Sequence, residues 1–177
     1  YMVTLLLACC SLTTSIYAQN TNLFRFVYAN SPEEAKEVLY HDIQSNSVGL
    51  HLRSSKDFSN TKGYADAFIL HRHTDQKGRV LIASAKAPEF FLKVDVHTNQ
   101  VSMHKISEAT DLNPFTWEII LNKETETDIV ALQSVMKNRF ALKKANEKVV
   151  IANRRPNGET NEEQSFSFRI EQIVNVF

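Results

Sequence analysis

Six histidines, two matching aspartates and one run of cations are the side chains whose types and spacing could do chemistry here. His71 and His73 stand two apart. On a strand they would share one face and could hold a metal with a third ligand; the plainer reading is a solvated strand end. His51 and His104 fall at matching places in two similar stretches, as do Asp42 and Asp95. Paired carboxylates work as acid and base only across a cleft, and repetition within the chain explains both pairs without one. Trp117, Phe115, Phe166 and Phe168 could stack on a sugar ring, yet their spacing equally suits a core. The chain has no Gly-rich phosphate loop, no His-Glu-x-x-His and no Gly-x-Ser-x-Gly. No enzyme activity, cofactor or metal is expected.

Charge placement is the stronger signal. Between Ile129 and Arg155 the cations are Lys137, Arg139, Lys143, Lys144, Lys148, Arg154 and Arg155, and the only acid is Glu147. The whole chain is neutral, with 20 Lys and Arg against 20 Asp and Glu. Nothing in that balance points to nucleic acid. If the loops carrying these seven cations converge, they form a patch for sulfated glycosaminoglycan or an acidic partner. The alternative is a solvated surface, neutralised in part by the acids of 159–163.

The elements that would position these residues come from a repeat. In Val130–Arg155, apolar residues alternate at Val130 and Leu132, at Phe140 and Leu142, and at Val149 and Ile151. Period-two alternation marks half-buried strands. About fifty residues earlier, Val80, Ser84, Phe90, Leu92 and Lys93 match Val130, Ser134, Phe140, Leu142 and Lys143, and Val101-x-Met103 matches Val149-x-Ile151. A third copy lies upstream, where Leu39, Asp42, Asn46, Val48 and His51 match Leu92, Asp95, Asn99, Val101 and His104. The copies close on Phe68-x-Leu70, Phe115-x-Trp117-x-Ile119 and Phe166-x-Phe168-x-Ile170. The units run over about 23–73, 79–121 and 129–171. A repeat at this period sets the architecture before any local reading does.

Turn residues separate the strands. Ser45-Asn46-Ser47 and the stretch 96–100 each turn a hairpin, Thr74–Gly78 and Pro156-Asn157-Gly158 join strands, and Pro88 breaks unit two where no ladder donor is needed. Ser31-Pro32-Glu33-Glu34 has the composition of a helix start, but the repeat favours a loop there. Ile173–Phe177 is an apolar tail that could pair with the first strand, Leu23–Tyr28, and close the sheet.

Residues 1–18 read as a secretory signal peptide, with an apolar run at Leu5–Leu12 and Ile16-x-Ala18 before the cut. The run is too short to span a bilayer. A positive leading segment is missing, and Leu6-Leu7-Ala8-Cys9 leaves a lipid-anchored form open, as it leaves open an apolar first strand. Both cysteines, Cys9 and Cys10, fall inside this segment, so the secreted form would hold no disulfide. At 177 residues the chain is one domain on size.

Each unit offers four strands, an opening strand, two hairpin strands and an aromatic closing strand. One unit cannot bury its apolar face alone, so three must pack about a common axis, twelve strands in all. Val-Ala-Leu-Gln-Ser-Val followed by Phe140-Ala-Leu142, Val149-x-Ile151 and Phe166-x-Phe168-x-Ile170 resembles the repeat of β-trefoils of the fibroblast growth factor and interleukin-1 type. Val-Ile-Ala-Asn-Arg before Phe-Ser-Phe-Arg-Ile also resembles fascin repeats. The Gln-x-Trp signature of ricin-type lectins is absent. The resemblance implies an all-β β-trefoil. It implies a secreted, monomeric, cytokine-like or growth-factor-like ligand for an extracellular receptor or protein, with a glycosaminoglycan site in the third unit. Two other readings stay open. One is a protease inhibitor using Ser54–Lys62 or Ser107–Asn113, and the other is a carbohydrate-binding module.

Overall fold

A computed structural model describes residues 22–53, 63–72, 78–121, 129–146, 148–154 and 164–173. They form thirteen strands: β1 Leu23–Tyr28, β2 Glu37–Asp42, β3 Ser47–Leu52, β4 Tyr64–Ala65, β5 Phe68–Arg72, β6 Arg79–Ser84, β7 Phe90–Val94, β8 Val101–Lys105, β9 Thr116–Leu121, β10 Ile129–Ser134, β11 Phe140–Ala145, β12 Lys148–Asn153 and β13 Phe168–Ile173.

Six of them close a ring. β1 pairs with β5, β5 with β6, β6 with β9, β9 with β10, β10 with β13, and β13 returns to β1. The strand that pairs with β1 is the closing strand of unit three, in the register Leu23↔Ile173 to Tyr28↔Phe168; of the tail expected there only Ile173 takes part, and residues 174–177 lie outside the described residues. The ring leaves none of these six strands with a free edge along its paired length. Three hairpins, β2–β3, β7–β8 and β11–β12, lie beside it. Each is tied to its own opening strand at one equivalent pair: Val27↔Val38, Ala83↔Phe91 and Gln133↔Ala141.

The three-fold repeat reaches single hydrogen bonds. Ala29 N, Ala85 N and Val135 N donate to Ser167 O, Ala67 O and Thr116 O. The core is layered in the same way. Phe26, Ile82 and Leu132 are equivalent and unexposed, and so are Leu39, Leu92 and Leu142, and Phe68, Trp117 and Phe168. Burial of one strand face explains why apolar residues recur at period two in every copy.

The hairpin turns share one device. Asn46, Asn99 and Asn146 have φ of 56°, 58° and 58°, in the left-handed region that Asn tolerates better than other side chains do. Asn46 O accepts Met103 N–H at 2.9 Å, and Asn99 O accepts Ile151 N–H at 3.0 Å. The first two turns therefore each hand a carbonyl to the hairpin of the next unit.

Four details differ from the sequence expectation. A thirteenth strand, β4, pairs with β2 through His41↔Ala65 and Asp42↔Tyr64. The closing strand expected at Ala65–His71 breaks after Ala65, where Asp66 turns to Arg25, 2.8 Å from its Nε. Phe115 and Phe166 precede their strands; Phe115 ends a 3-10 turn, Asn113–Phe115, with Pro114 in its first turn. Glu33–Ala35 forms one 3-10 turn within the expected loop. Thr74–Lys77 and 155–163 lie outside the described residues. Among the described residues, no helix is long and apolar enough to cross a membrane.

Candidate functional site

The β7–β8 hairpin carries its chemistry on its outer face. Lys93 pairs with Ser102 and Phe91 with His104, so alternation places these four side chains on one side, opposite Leu92 and Met103 in the core. Phe91 is covered by Phe115 and Ala83, which leaves Lys93, Ser102 and His104 as the polar surface. Lys93 Nζ stands 5.7 Å from the Phe115 ring centre, and Lys105 Nζ 5.5 Å from that of Phe90. His104 Nε2 lies 3.1 Å from Ser102 Oγ, with the donor set by the ring tautomer.

Two hollows of about 340 and 330 Å³ adjoin on this face and share Lys93, His104 and Pro114. The first is bounded further by Lys105, Thr110 and Asp111, the second by Asp95, His97 and Gln100. Both acids are turned to backbone. Asp111 Oδ1 accepts Asn113 N–H at 3.0 Å. Asp95 Oδ1 accepts His97 N–H at 2.9 Å and Thr98 N–H at 3.3 Å, and these bonds hold its carboxyl below the ordinary range. Asp42 does the same in unit one with Gln44 N–H and the Ser45 hydroxyl, and its carboxyl is lowered likewise, the Ser45 bond first. Both aspartates are therefore hairpin-turn residues. In outline the face is a shallow groove with ammonium and imidazole groups at its centre and carboxylates at its margins.

The equivalent faces differ. In unit one, Tyr40 replaces Lys93 and packs edge-on to Tyr64 at 5.2 Å and to His51 at 6.0 Å. In unit three, Lys143 stands over Phe166 at 5.3 Å, as Lys93 does over Phe115, but Val150 and Ala152 stand where Ser102 and His104 do. The core positions of the units match while their outer faces diverge.

The seven cations expected to form one patch are divided. Lys143 and Lys144 are neighbours on β11 and so point to opposite faces. Lys144 is engaged by the Glu37 carboxylate of unit one and lies 4.7 Å from the Tyr28 ring centre. Lys137 donates to Asn99 Oδ1 at 2.8 Å and lies over Phe140 at 4.0 Å. Arg139 is exposed in a turn at φ 67°. Lys148 is the exposed first residue of β12. Arg154 is half-buried and binds Arg139 O through its backbone N–H at 2.7 Å. Arg155 lies outside the described residues.

His71 is exposed, with its ring 5.5 Å from that of Phe91; His73 lies outside the described residues. Among those residues no group of three or more His, Cys, Asp or Glu is placed to hold a metal. Trp117, Phe115, Phe166 and Phe168 are core, at 0–3% exposure. Of the two proposed inhibitory loops, 54–62 lies outside the described residues, whereas Thr110 and Asp111 of 107–113 bound the groove.

One buried group passed unnoticed in the sequence. His41 on β2 is unexposed, its ring 5.9 Å from that of Phe90, and among the described residues neither ring nitrogen has a hydrogen-bond partner. Burial pushes its pKa below the ordinary 6.5, against the opposing pull of the nearby Asn46 side chain and the Asp42 carboxylate. The equivalent residue is Val94 in unit two and Lys144 in unit three.

No family model matches the sequence, and no curated protein sequence does. Solved structures do match. The BEL beta-trefoil is similar over 90% of this chain and 98% of its own, at 13% identity and TM-score 0.63. SeviL, solved with the asialo-GM1 saccharide, is similar over 87% of this chain and all of its own, at 13% identity and TM-score 0.58. Cry35Ab1 is similar over 90% of this chain at 11% identity and TM-score 0.64, and this chain spans only 38% of it. Likeness at such identities speaks for the fold alone. With its ring of six strands, its three hairpins and one four-strand unit told three times, this chain folds as a β-trefoil.

Proposed function

We propose that this β-trefoil is a binding protein that takes carbohydrate in the groove over β7–β8. The observation that carries the reading is the pair of adjoining hollows that share Lys93, His104 and Pro114. Their size is that of a small-ligand site, and donors and acceptors both line them. Sugar hydroxyls need that mixture, because each both donates and accepts. SeviL, of similar fold, is described with a bound saccharide, which supports the same class of ligand here. Delivery outside the cell is part of the proposal and rests on the apolar N-terminal run. The growth-factor-like reading is set below this one, because it rests on resemblance and secretion alone and the cations of its glycosaminoglycan site are partly engaged, with Lys143 and Lys144 on opposite faces.

The test is a glycan array probed with the wild-type chain and with His104→Ala, followed by titration of the best ligand. Binding weakened about tenfold by His104→Ala, the loss of roughly one good polar contact, supports the groove. Lys148→Ala, on the unit-three hairpin, should leave affinity unchanged. A wild-type chain that binds no glycan on the array would remove the reading.

A further inference from the structure

We infer that the unit-two groove selects saccharides that carry a negative group, a carboxylate or a sulfate ester, and that it is one site per chain. This rests on the carbohydrate reading above and narrows it.

The charges in the groove are unequally engaged. Lys93 and Lys105 both border the first hollow, but Lys93 shares the face of Ser102 and His104, whereas Lys105 is turned to the opposite face, over Phe90. Among the described residues neither has a carboxylate within ion-pair distance, and each rests instead on an aromatic face, Phe115 or Phe90. Such a contact fixes the ammonium without neutralising it. The acids at the margins, Asp111 and Asp95, already accept backbone N–H groups. A ligand entering the groove therefore meets one positioned ammonium group with open valences, that of Lys93, along with the Ser102 and His104 side chains. An anionic substituent can accept a charge-assisted bond from Lys93, whereas a neutral sugar leaves that ammonium unpaired.

The other units lack this arrangement. Unit one has Tyr40 in place of Lys93. Unit three keeps Lys143 but has Ala152 in place of His104, and its Lys144 is held by Glu37. The three-fold scaffold thus presents one anion-selective groove, not three. The anion site expected in unit three belongs to unit two on this reading.

The experiment titrates the full chain by calorimetry with lactose, sialyllactose and sulfolactose at low salt and again at high salt. The inference expects at least one acidic probe to bind about tenfold more tightly than lactose at low salt, at a stoichiometry near one, and expects the gap to shrink as salt rises. Whichever acidic probe prefers the site identifies the substituent. Lys93→Gln should bring the acidic probe to the lactose level and leave the thermal midpoint in place, while Lys148→Ala changes nothing. Equal affinity for lactose and both acidic probes overturns the inference and leaves the carbohydrate reading standing. An acidic preference that survives Lys93→Gln places the site elsewhere and also overturns it. Binding of none of the three probes, with no neutral glycan bound on the array, defeats both. The comparison of probes on the wild-type chain needs no variant, so a poorly folding variant does not rescue the idea.

Discussion

Trp117 donates its indole Nε1–H to the backbone carbonyl of Leu92 across 3.0 Å in the core. The equivalent residues of the other units, Phe68 and Phe168, are equally buried and have no such donor. This bond ties the closing strand of unit two to the first strand of its own hairpin. Trp117→Phe would copy the other units yet strand a buried carbonyl and leave a void. We predict a loss of about 2–3 kcal/mol in urea unfolding, with an unchanged m-value. A loss under about 0.5 kcal/mol would mean that the bond contributes nothing net.

His41 should make the fold acid-sensitive. Its native pKa is lowered by burial, so the unfolded chain binds the proton more readily than the native one. Stability from this group is complete above pH 6.5, its ordinary value, and is lost as pH falls from there through the lowered native value. Asp42 and Asp95, also lowered, add a further loss of the same sign at lower pH, below their ordinary 3.8. His41→Leu, which puts an aliphatic side chain where unit two has Val94, should flatten the first phase and spare the second. Thermal midpoints of both proteins between pH 7 and pH 5 would show it, and parallel curves would refute it.

Asn146 stands at φ 58° in the β11–β12 turn and is exposed. Asn146→Gly should be neutral within a few tenths of a kcal/mol, since glycine adopts this backbone freely. Asn146→Ala should cost about 1 kcal/mol. Chemical denaturation of the two variants separates a backbone requirement from a side-chain one.

The Lys144–Glu37 pair joins units three and one and is roughly three-quarters buried on both sides. Partial exposure leaves water to screen it, so a double-mutant cycle on Lys144→Ala and Glu37→Ala should give a coupling of no more than about 1 kcal/mol, falling with salt. A coupling that persists unchanged in high salt would contradict this.

The architecture was legible because burial repeats its demands. Leu39, Leu92 and Leu142, or Val48, Val101 and Val149, face one shared interior, so the same residue class recurs wherever the chain passes it. The onset of the closing strands was not legible. Phe115 is as buried before its strand, in a 3-10 turn, as it would be within it, and period-two spacing cannot tell those cases apart. The groove was hidden for the opposite reason. Its residues sit on the outer face, where Tyr40, Lys93 and Lys143 are equivalent and nothing forces them to agree. A search for agreement between copies passes over such positions, and the signal that finds them is disagreement between copies at surface places. Proximity was the other missing fact: charge counting grouped Lys143 with Lys144, and only strand alternation and Glu37 part them.

The pairing of β1 with β13 has a consequence for biosynthesis. The hairpins join strands a few residues apart and can form as each emerges, but the ring joins Leu23 to Ile173. Local contacts come early and distant ones late, so the barrel stays open until β13 is made. In that interval β1 and β10 each expose an unpaired edge that a second nascent chain could zip onto. A chain cut before Phe168 should hold that state permanently and scatter light as it aggregates, while its hairpins retain strand circular dichroism. The molecule's most vulnerable interval thus runs from the synthesis of β10 to that of β13.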